Sequence, residues 1–174
     1  NKMRHVSEVP GLIRITFCGR LLKSKGIYDF INAARIIKSK SYKADFWIAG
    51  EIDKGNPDSI TRSDINDLER KEPIKFLGFI DDINDLYRKS HIVCLPSYYG
   101  EGLPKSLIEA AACGRAVVTT EHPGCSDAVV PGKTGLLVPS KDSQKLAETL
   151  EWLIKNHSER KKMGTNGRKF AAKV

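Results

Sequence analysis

The sequence has no run approaching the ~18 consecutive apolar residues that a membrane-spanning helix requires. Its first ten residues are polar and charged and carry none of the apolar core of a secretory signal. No transmembrane segment is expected, and a cytoplasmic setting follows as the default reading. The four cysteines, Cys18, Cys94, Cys113 and Cys125, include no CxxC pair and no His/Cys cluster at zinc-finger spacing, and they read as reduced packing residues. No GxGxxG follows the first β-rich run. The loop there reads Gly19-Arg-Leu-Leu-Lys-Ser-Lys-Gly26, which argues against a nicotinamide or flavin domain. Internal repeats, low-complexity tracts and domain linkers are missing as well, as is any basic stretch interleaved with aromatics for stacking single strands.

What is present fits one globular core. The chain has 174 residues, 40% of them apolar and 29% charged, within the length that a single core of about 100–200 residues spans. A net charge of +8 favours anionic partners, whether nucleic acid, an anionic membrane surface or phosphate-bearing small molecules. Much of the excess lies in residues 155–173, which read equally well as the solvated basic face of a terminal helix or as a source of membrane-surface attraction.

Short β-branched runs alternate with longer helical patterns from end to end, the signature of βαβ units that build a doubly wound, Rossmann-like parallel sheet in a three-layer α/β/α domain. Strands are expected over residues 13–18, 44–49, 74–77, 92–95, 116–119 and 135–138. Most are continuously apolar, as strands covered on both faces are. Helices are expected over 26–40, 59–70, 83–89, 104–113, 143–155 and 158–173. The polar, Gly/Pro-containing stretch 50–59 reads as a mobile loop after the second strand, at the carboxyl end of the sheet where open α/β folds bind ligands.

Two stretches carry the chemistry. In Ser97-Tyr-Tyr-Gly-Glu-Gly-Leu-Pro-Lys-Ser-Leu-Ile-Glu-Ala, a strand end leads through a Gly-Glu-Gly turn into a helix opened by Pro104. Gly100 and Gly102 permit close approach of a ligand to the backbone, and the unpaired amides of the first helical turn form a phosphate site. Glu101 can accept bonds from sugar hydroxyls, whereas Glu109 lies over a turn into the helix. At a rise of ~1.5 Å per residue the pair spans more than the ~5 Å of a retaining hydrolase, so glycoside hydrolysis is not indicated. In the second stretch, Arg20 and Lys25 follow the first strand, and two cations there can clamp a diphosphate and neutralise charge growing on a leaving group.

Together these stretches resemble the C-terminal domain of the group 1, or family 4, retaining glycosyltransferases of the GT-B fold. The resemblance covers nearly the whole chain and is carried by Gly19-Arg20-Leu21 with Lys25-Gly26, Ala49-Gly50-Glu51, Phe76-Leu77-Gly78-Phe79, Pro96-Ser97, Glu101-Gly102-Leu103-Pro104 through Glu109-Ala110, Ala112-Cys113-Gly114 and Gly132-Lys-Thr-Gly-Leu-Leu-Val138. It implies that residues 1–174 form a nucleotide-sugar-binding domain whose N-terminal acceptor domain is absent from this chain. It further implies a hexosyltransferase whose isolated fragment is inactive, with a UDP-linked donor and a saccharide or lipid-linked acceptor in cell-surface polysaccharide or lipopolysaccharide synthesis. By the same resemblance Arg20 and Lys25 hold the donor diphosphate, Glu101 the sugar hydroxyls, Gly102 and Leu103 the sugar phosphate through their amides, Glu109 the ribose, and Gly78 and Phe79 border the nucleobase. Glu101, Arg20 and Lys25 are the residues assigned to catalysis, along a front-face route in which the leaving phosphate helps deprotonate the acceptor.

No essential metal or cofactor is implied, and the expected location is cytoplasmic, peripheral at the inner membrane face. The expected partners are the nucleotide sugar and the acceptor domain, with membrane-surface association and without nucleic acid. None of His5, His91, His122 and His157 replaces the histidine that the acceptor domain supplies in relatives, and Asp127 stands where they often carry an acidic residue. A non-catalytic nucleotide-sugar-binding module and half of a GT-B nucleotide-sugar epimerase are the alternatives.

Overall fold

The computed structural model describes residues 11–100 and 102–174. Its six strands form one parallel sheet: β1 (Ile13–Cys18), β2 (Ala44–Ala49), β3 (Lys75–Gly78), β4 (Ile92–Leu95), β5 (Ala116–Thr120) and β6 (Gly135–Val138). Their order is β3-β2-β1-β4-β5-β6. β4 and β5 are buried along their whole length because helices cover both faces. β1 aligns with β2 residue for residue, from Ile13 opposite Ala44 to Cys18 opposite Ala49.

Among the described residues six α-helices complete the fold: α1 (Ile27–Ser39), α2 (Arg62–Lys71), α3 (Ile83–Arg88), α4 (Lys105–Ala112), α5 (Ser143–Lys155) and α6 (His157–Ala171). The strand order runs outward in opposite directions from the β1–β4 pair. Right-handed crossovers therefore place α1 and α4 on opposite faces. α1 packs against α5, and α4 against α6. The apolar stripe Ile27, Phe30, Ile31, Ala34 and Ile37 of α1 is fully buried, with Phe30 set between Phe17 and Phe46 at ring separations of 5.9 and 5.8 Å.

α2 begins three residues later than its sequence pattern indicates. Thr61 closes a capping box with Asp64: its hydroxyl accepts from Asp64 N at 3.1 Å while the Asp64 carboxylate accepts from Thr61 N at 2.8 Å. Ser59 and Ile60 are diverted from the helix because Ile60 N donates to Leu21 O and Ser59 bridges to Leu22.

The stretch 50–59 is not a loose loop, contrary to its composition. Leu21 N donates to Glu51 O and Lys23 N to Asp58 O, stitching it to the loop after β1, while Asp53 N donates to Ser59 Oγ within the stretch. Here the backbone groups of a polar segment find partners in another loop, so polarity alone does not signal mobility.

The basic C-terminal region is likewise only partly a solvated face. Arg160 is 2% exposed and donates from Nη1 to Leu153 O at 2.8 Å and Ile154 O at 3.3 Å, capping the carbonyl end of α5 where the helix dipole favours a cation. Removing it in Arg160→Ala leaves those carbonyls unpaired beside a cavity, and a loss of about 3 kcal/mol is expected. Thermal unfolding should then show a midpoint ~6–12 °C lower; a shift under ~2 °C would mean the cap contributes little.

Candidate functional site

The strand order reverses between β1 and β4, and the loops leaving the carboxyl ends of these two strands meet over that point. Gly19 N donates to Ala49 O at 3.0 Å, and a 3-10 turn over Lys23–Lys25 follows, ending at Gly26. Gly26 has φ 82°, and a Cβ there would lie 2.1 Å from Pro96 O, so only glycine lets the two loops touch. Across that contact Tyr98 N donates to Ser24 O at 2.8 Å, and the Ser97 hydroxyl reaches the same carbonyl at 3.4 Å. From the other side, Thr120 Oγ1 donates to Ser97 O. The loop after β4 is thus held between β1 and β5.

Within this frame the two expected cations differ in setting. Arg20 is half exposed, with Nη1 3.0 Å from Asp53 Oδ2, an oxygen that also accepts from Asn56 Nδ2 at 3.1 Å. Lys25 is buried at 7% exposure. Both face one ring: Arg20 Cζ lies 5.7 Å and Lys25 Nζ 5.1 Å from the Tyr99 centroid. The Tyr99 hydroxyl and then the Asp53 carboxylate hold the Arg20 guanidinium above its ordinary pKa, so it stays charged.

α4 starts behind Pro104, whose carbonyl accepts from Leu107 N and Ile108 N. Glu109, on its second turn, has a side chain 23% exposed and 3.5 Å from Lys105 Nζ. The Glu109 charge also reaches Cys18, the last residue of β1: burial first and this carboxylate second push the Cys18 thiol up, against a hydrogen bond from Tyr87 that lowers it. Glu109 is therefore within electrostatic reach of the strand end that launches Arg20. Gly102 and Leu103 are exposed, Leu103 by 44%. Glu101 lies outside the described residues.

Gly78 and Phe79 do not join the two cations directly. They line a separate cleft of about 420 Å³ beyond the ends of β2 and β3 with Leu21, Glu51, Lys54, Arg62 and Glu69. Gly50 N donates to Gly78 O at 2.9 Å, and Glu69 is occupied in accepting from Phe76 N at 3.0 Å. Leu21, next to Arg20 in the β1 loop, forms one wall of it. Lys54 and Arg62 were missed by sequence reasoning. The capping pattern Thr61-x-x-Asp64 was the signal that would have put Arg62 at a helix start facing this cleft.

Among the histidines, His91 is 3% exposed and accepts from Arg14 N through Nδ1 at 2.9 Å, a packing role. His157 lies against Arg160 at 2.8 Å, and His122 against Pro123 O at 3.1 Å. His5 lies outside the described residues. Asp127 is exposed in a 3-10 turn over Ser126–Ala128.

Residues 2–170 match the family described as "Glycosyl transferases group 1". The capsular polysaccharide biosynthesis glycosyltransferase CapM of Staphylococcus aureus is 34% identical over 155 residues, covering 89% of this chain and 40% of CapM. The N,N'-diacetylbacillosaminyl-diphospho-undecaprenol alpha-1,3-N-acetylgalactosaminyltransferase of Campylobacter jejuni is 31% identical over 95% of this chain and 41% of its own length. The chain thus spans about two fifths of the curated relatives it matches. Among solved structures, Anabaena HepE in complex with UDP superposes with a TM-score of 0.81 at 24% identity, over 93% of this chain and 44% of HepE. The C-terminal domain of the group 1 glycosyl transferase LpcC from Francisella tularensis does so with a TM-score of 0.77 at 28% identity, over 95% of this chain and 87% of that domain. A six-stranded parallel sheet with this switch-point site, matched by the family over nearly its whole length, belongs to the group 1 glycosyl transferases and has their Rossmann-like GT-B fold.

Proposed function

We propose that this chain is the donor-binding, C-terminal domain of a retaining glycosyltransferase that takes a sugar from a UDP-linked donor to a saccharide or lipid-linked acceptor in cell-surface polysaccharide synthesis. The observation that carries the reading is the convergence of Arg20, Lys25 and the start of α4 on the β1–β4 switch point. The C-terminal domain of LpcC, which this chain matches over 87% of its length, supports the domain assignment. The CapM name supports the polysaccharide setting, and HepE, solved with UDP, supports the base.

In this reading Arg20 and Lys25 hold the diphosphate and neutralise the charge that develops as it leaves, which lowers the barrier only where the charge is larger in the transition state than in the ground state. Glu101 accepts from the sugar hydroxyls, the amides of Gly102 and Leu103 bind the sugar phosphate, and Gly78 and Phe79 border the base at the mouth of the cleft. Glu109 accepts from the ribose hydroxyls. Transfer proceeds without an essential metal and needs an acceptor domain beyond this chain. The assembled enzyme is cytoplasmic, and exposed cations on α6 such as Lys161 and Lys162 draw it to an anionic membrane face. Among the described residues no helix is long and apolar enough to cross a membrane.

Calorimetric titration with UDP, GDP, ADP and NAD tests the reading. Saturable binding of UDP in preference to the others is expected, and no binding of any nucleoside diphosphate would overturn it. Glu109→Gln is expected to weaken UDP about 10-fold, the loss of a charge-assisted hydrogen bond of ~1.5 kcal/mol. It should leave inorganic pyrophosphate untouched, since that ligand has no ribose; equal losses for both would move Glu109 away from the sugar.

A further inference from the structure

The Tyr99 ring stands beside both cations of the switch-point loop, 5.7 Å from Arg20 Cζ and 5.1 Å from Lys25 Nζ. Two like charges this close to one ring repel each other, and their neighbours offset that repulsion. On the far side of Arg20 the Asp53 carboxylate does part of this, and Asp53 is itself fixed by Asn56. Lys25, at 7% exposure, has lost most of its water, and an ammonium in that state gains more from an aromatic face than a solvated one does. Tyr99 is in turn fixed by its own loop: Tyr99 N donates to Ser97 Oγ at 3.1 Å, Tyr98 N donates to Ser24 O, and Lys141 Nζ covers the Tyr98 ring at 4.6 Å. The Tyr99 backbone is thus anchored where the loop after β4 meets the loop after β1.

Resting on the assignment of Arg20 and Lys25 as the diphosphate cations, we infer that Tyr99 is a positioning residue for that pair: its ring face holds the two side chains side by side, so a diphosphate meets a preformed fork. The ligand class is any diphosphate anion, and the base plays no part in the effect. Arg20 retains donors beyond the one given to Asp53, since a guanidinium carries five. Without the ring, binding must order a long half-exposed arginine and a lysine that has lost its favourable face, and the ordering is taken out of affinity.

The test uses the 174-residue chain and three probes, UDP, inorganic pyrophosphate and uridine, titrated into wild type, Tyr99→Ala and Tyr99→Phe. In Tyr99→Ala, UDP and pyrophosphate are expected to weaken in parallel by about five- to tenfold, the loss of two cation–π contacts. Uridine, which has no phosphate, should bind as it does to wild type. Tyr99→Phe keeps the face and drops only the hydroxyl bonded to Arg20, so UDP and pyrophosphate should weaken less than in Tyr99→Ala and uridine should bind as it does to wild type. The inference is overturned if Tyr99→Ala binds pyrophosphate as wild type does, if uridine weakens by the same factor, or if Tyr99→Phe is as weak as Tyr99→Ala. Wild type that binds neither UDP nor pyrophosphate would overturn the diphosphate assignment itself, and the inference with it.

Discussion

Lys25→Met is expected to lower the affinity of the domain for UDP by about 10- to 100-fold, the ~1.5–3 kcal/mol of a hydrogen bond to a charged group made in a largely dehydrated place. Methionine keeps the unbranched stem that fills the space between the β1 and β4 loops and drops only the charge, so the fold should persist while the binding goes. Arg20→Ala is expected to cost less, near 10-fold, because Arg20 is half exposed and water screens what it contributes. Raising salt should narrow the gap between wild type and Arg20→Ala more than the gap between wild type and Lys25→Met, since buried charges are screened less. Calorimetry at two ionic strengths reads all of this. A Lys25→Met domain that binds UDP within twofold of wild type would remove Lys25 from the site.

The contrast between these two cations could not be read from the sequence, where they are two basic residues five apart in one loop. Burial of Lys25 comes from the 3-10 turn and from the docking of the 96–99 backbone, contacts between segments more than seventy residues apart. What local pattern does decide was legible. The spans of β1, β2, β4, β6 and α5 agree with the apolar runs that mark them, because a strand buried on both faces has to be apolar along its length. The doubly wound architecture followed from the β/α alternation, and the family from the ordered set of motifs. The readings that failed all turned on tertiary partners. Residues 50–59 are polar because they bond to the β1 loop, and Arg160 is basic because two carbonyls of α5 need a donor. Lys54 and Arg62 face a cleft that exists only once β2 and β3 are side by side.

The second large effect falls on stability. Gly50, directly after β2, has φ 147°, and a Cβ there would lie 1.8 Å from Gly19 O, well inside any tolerable contact with backbone. Gly50→Ala therefore has to push apart the two loops that carry Glu51 and Arg20, besides adopting a conformation that L side chains avoid. A loss of at least ~4 kcal/mol is expected, among the largest that single substitutions produce. A melting midpoint lower by roughly 8–16 °C would accompany it. Gly55→Ala is the control: it shares a positive φ of 82° but has nothing within 4 Å, so only the backbone term remains. If the two variants melted together, the close approach of Gly50 to Gly19 would be irrelevant to stability.

The pairing of α1 with α5 also bears on how the chain is made. α1 leaves the ribosome on the order of a hundred residues before the helix packed against it, several seconds of synthesis at ~5–20 residues per second. During that interval the side of α1 that meets α5, marked by Asp29 and Asn32, has no permanent cover, while Phe30 is already held by Phe17 and Phe46. A nascent chain halted before residue 143 should therefore bind holdase chaperones through α1, and release should coincide with the appearance of α5.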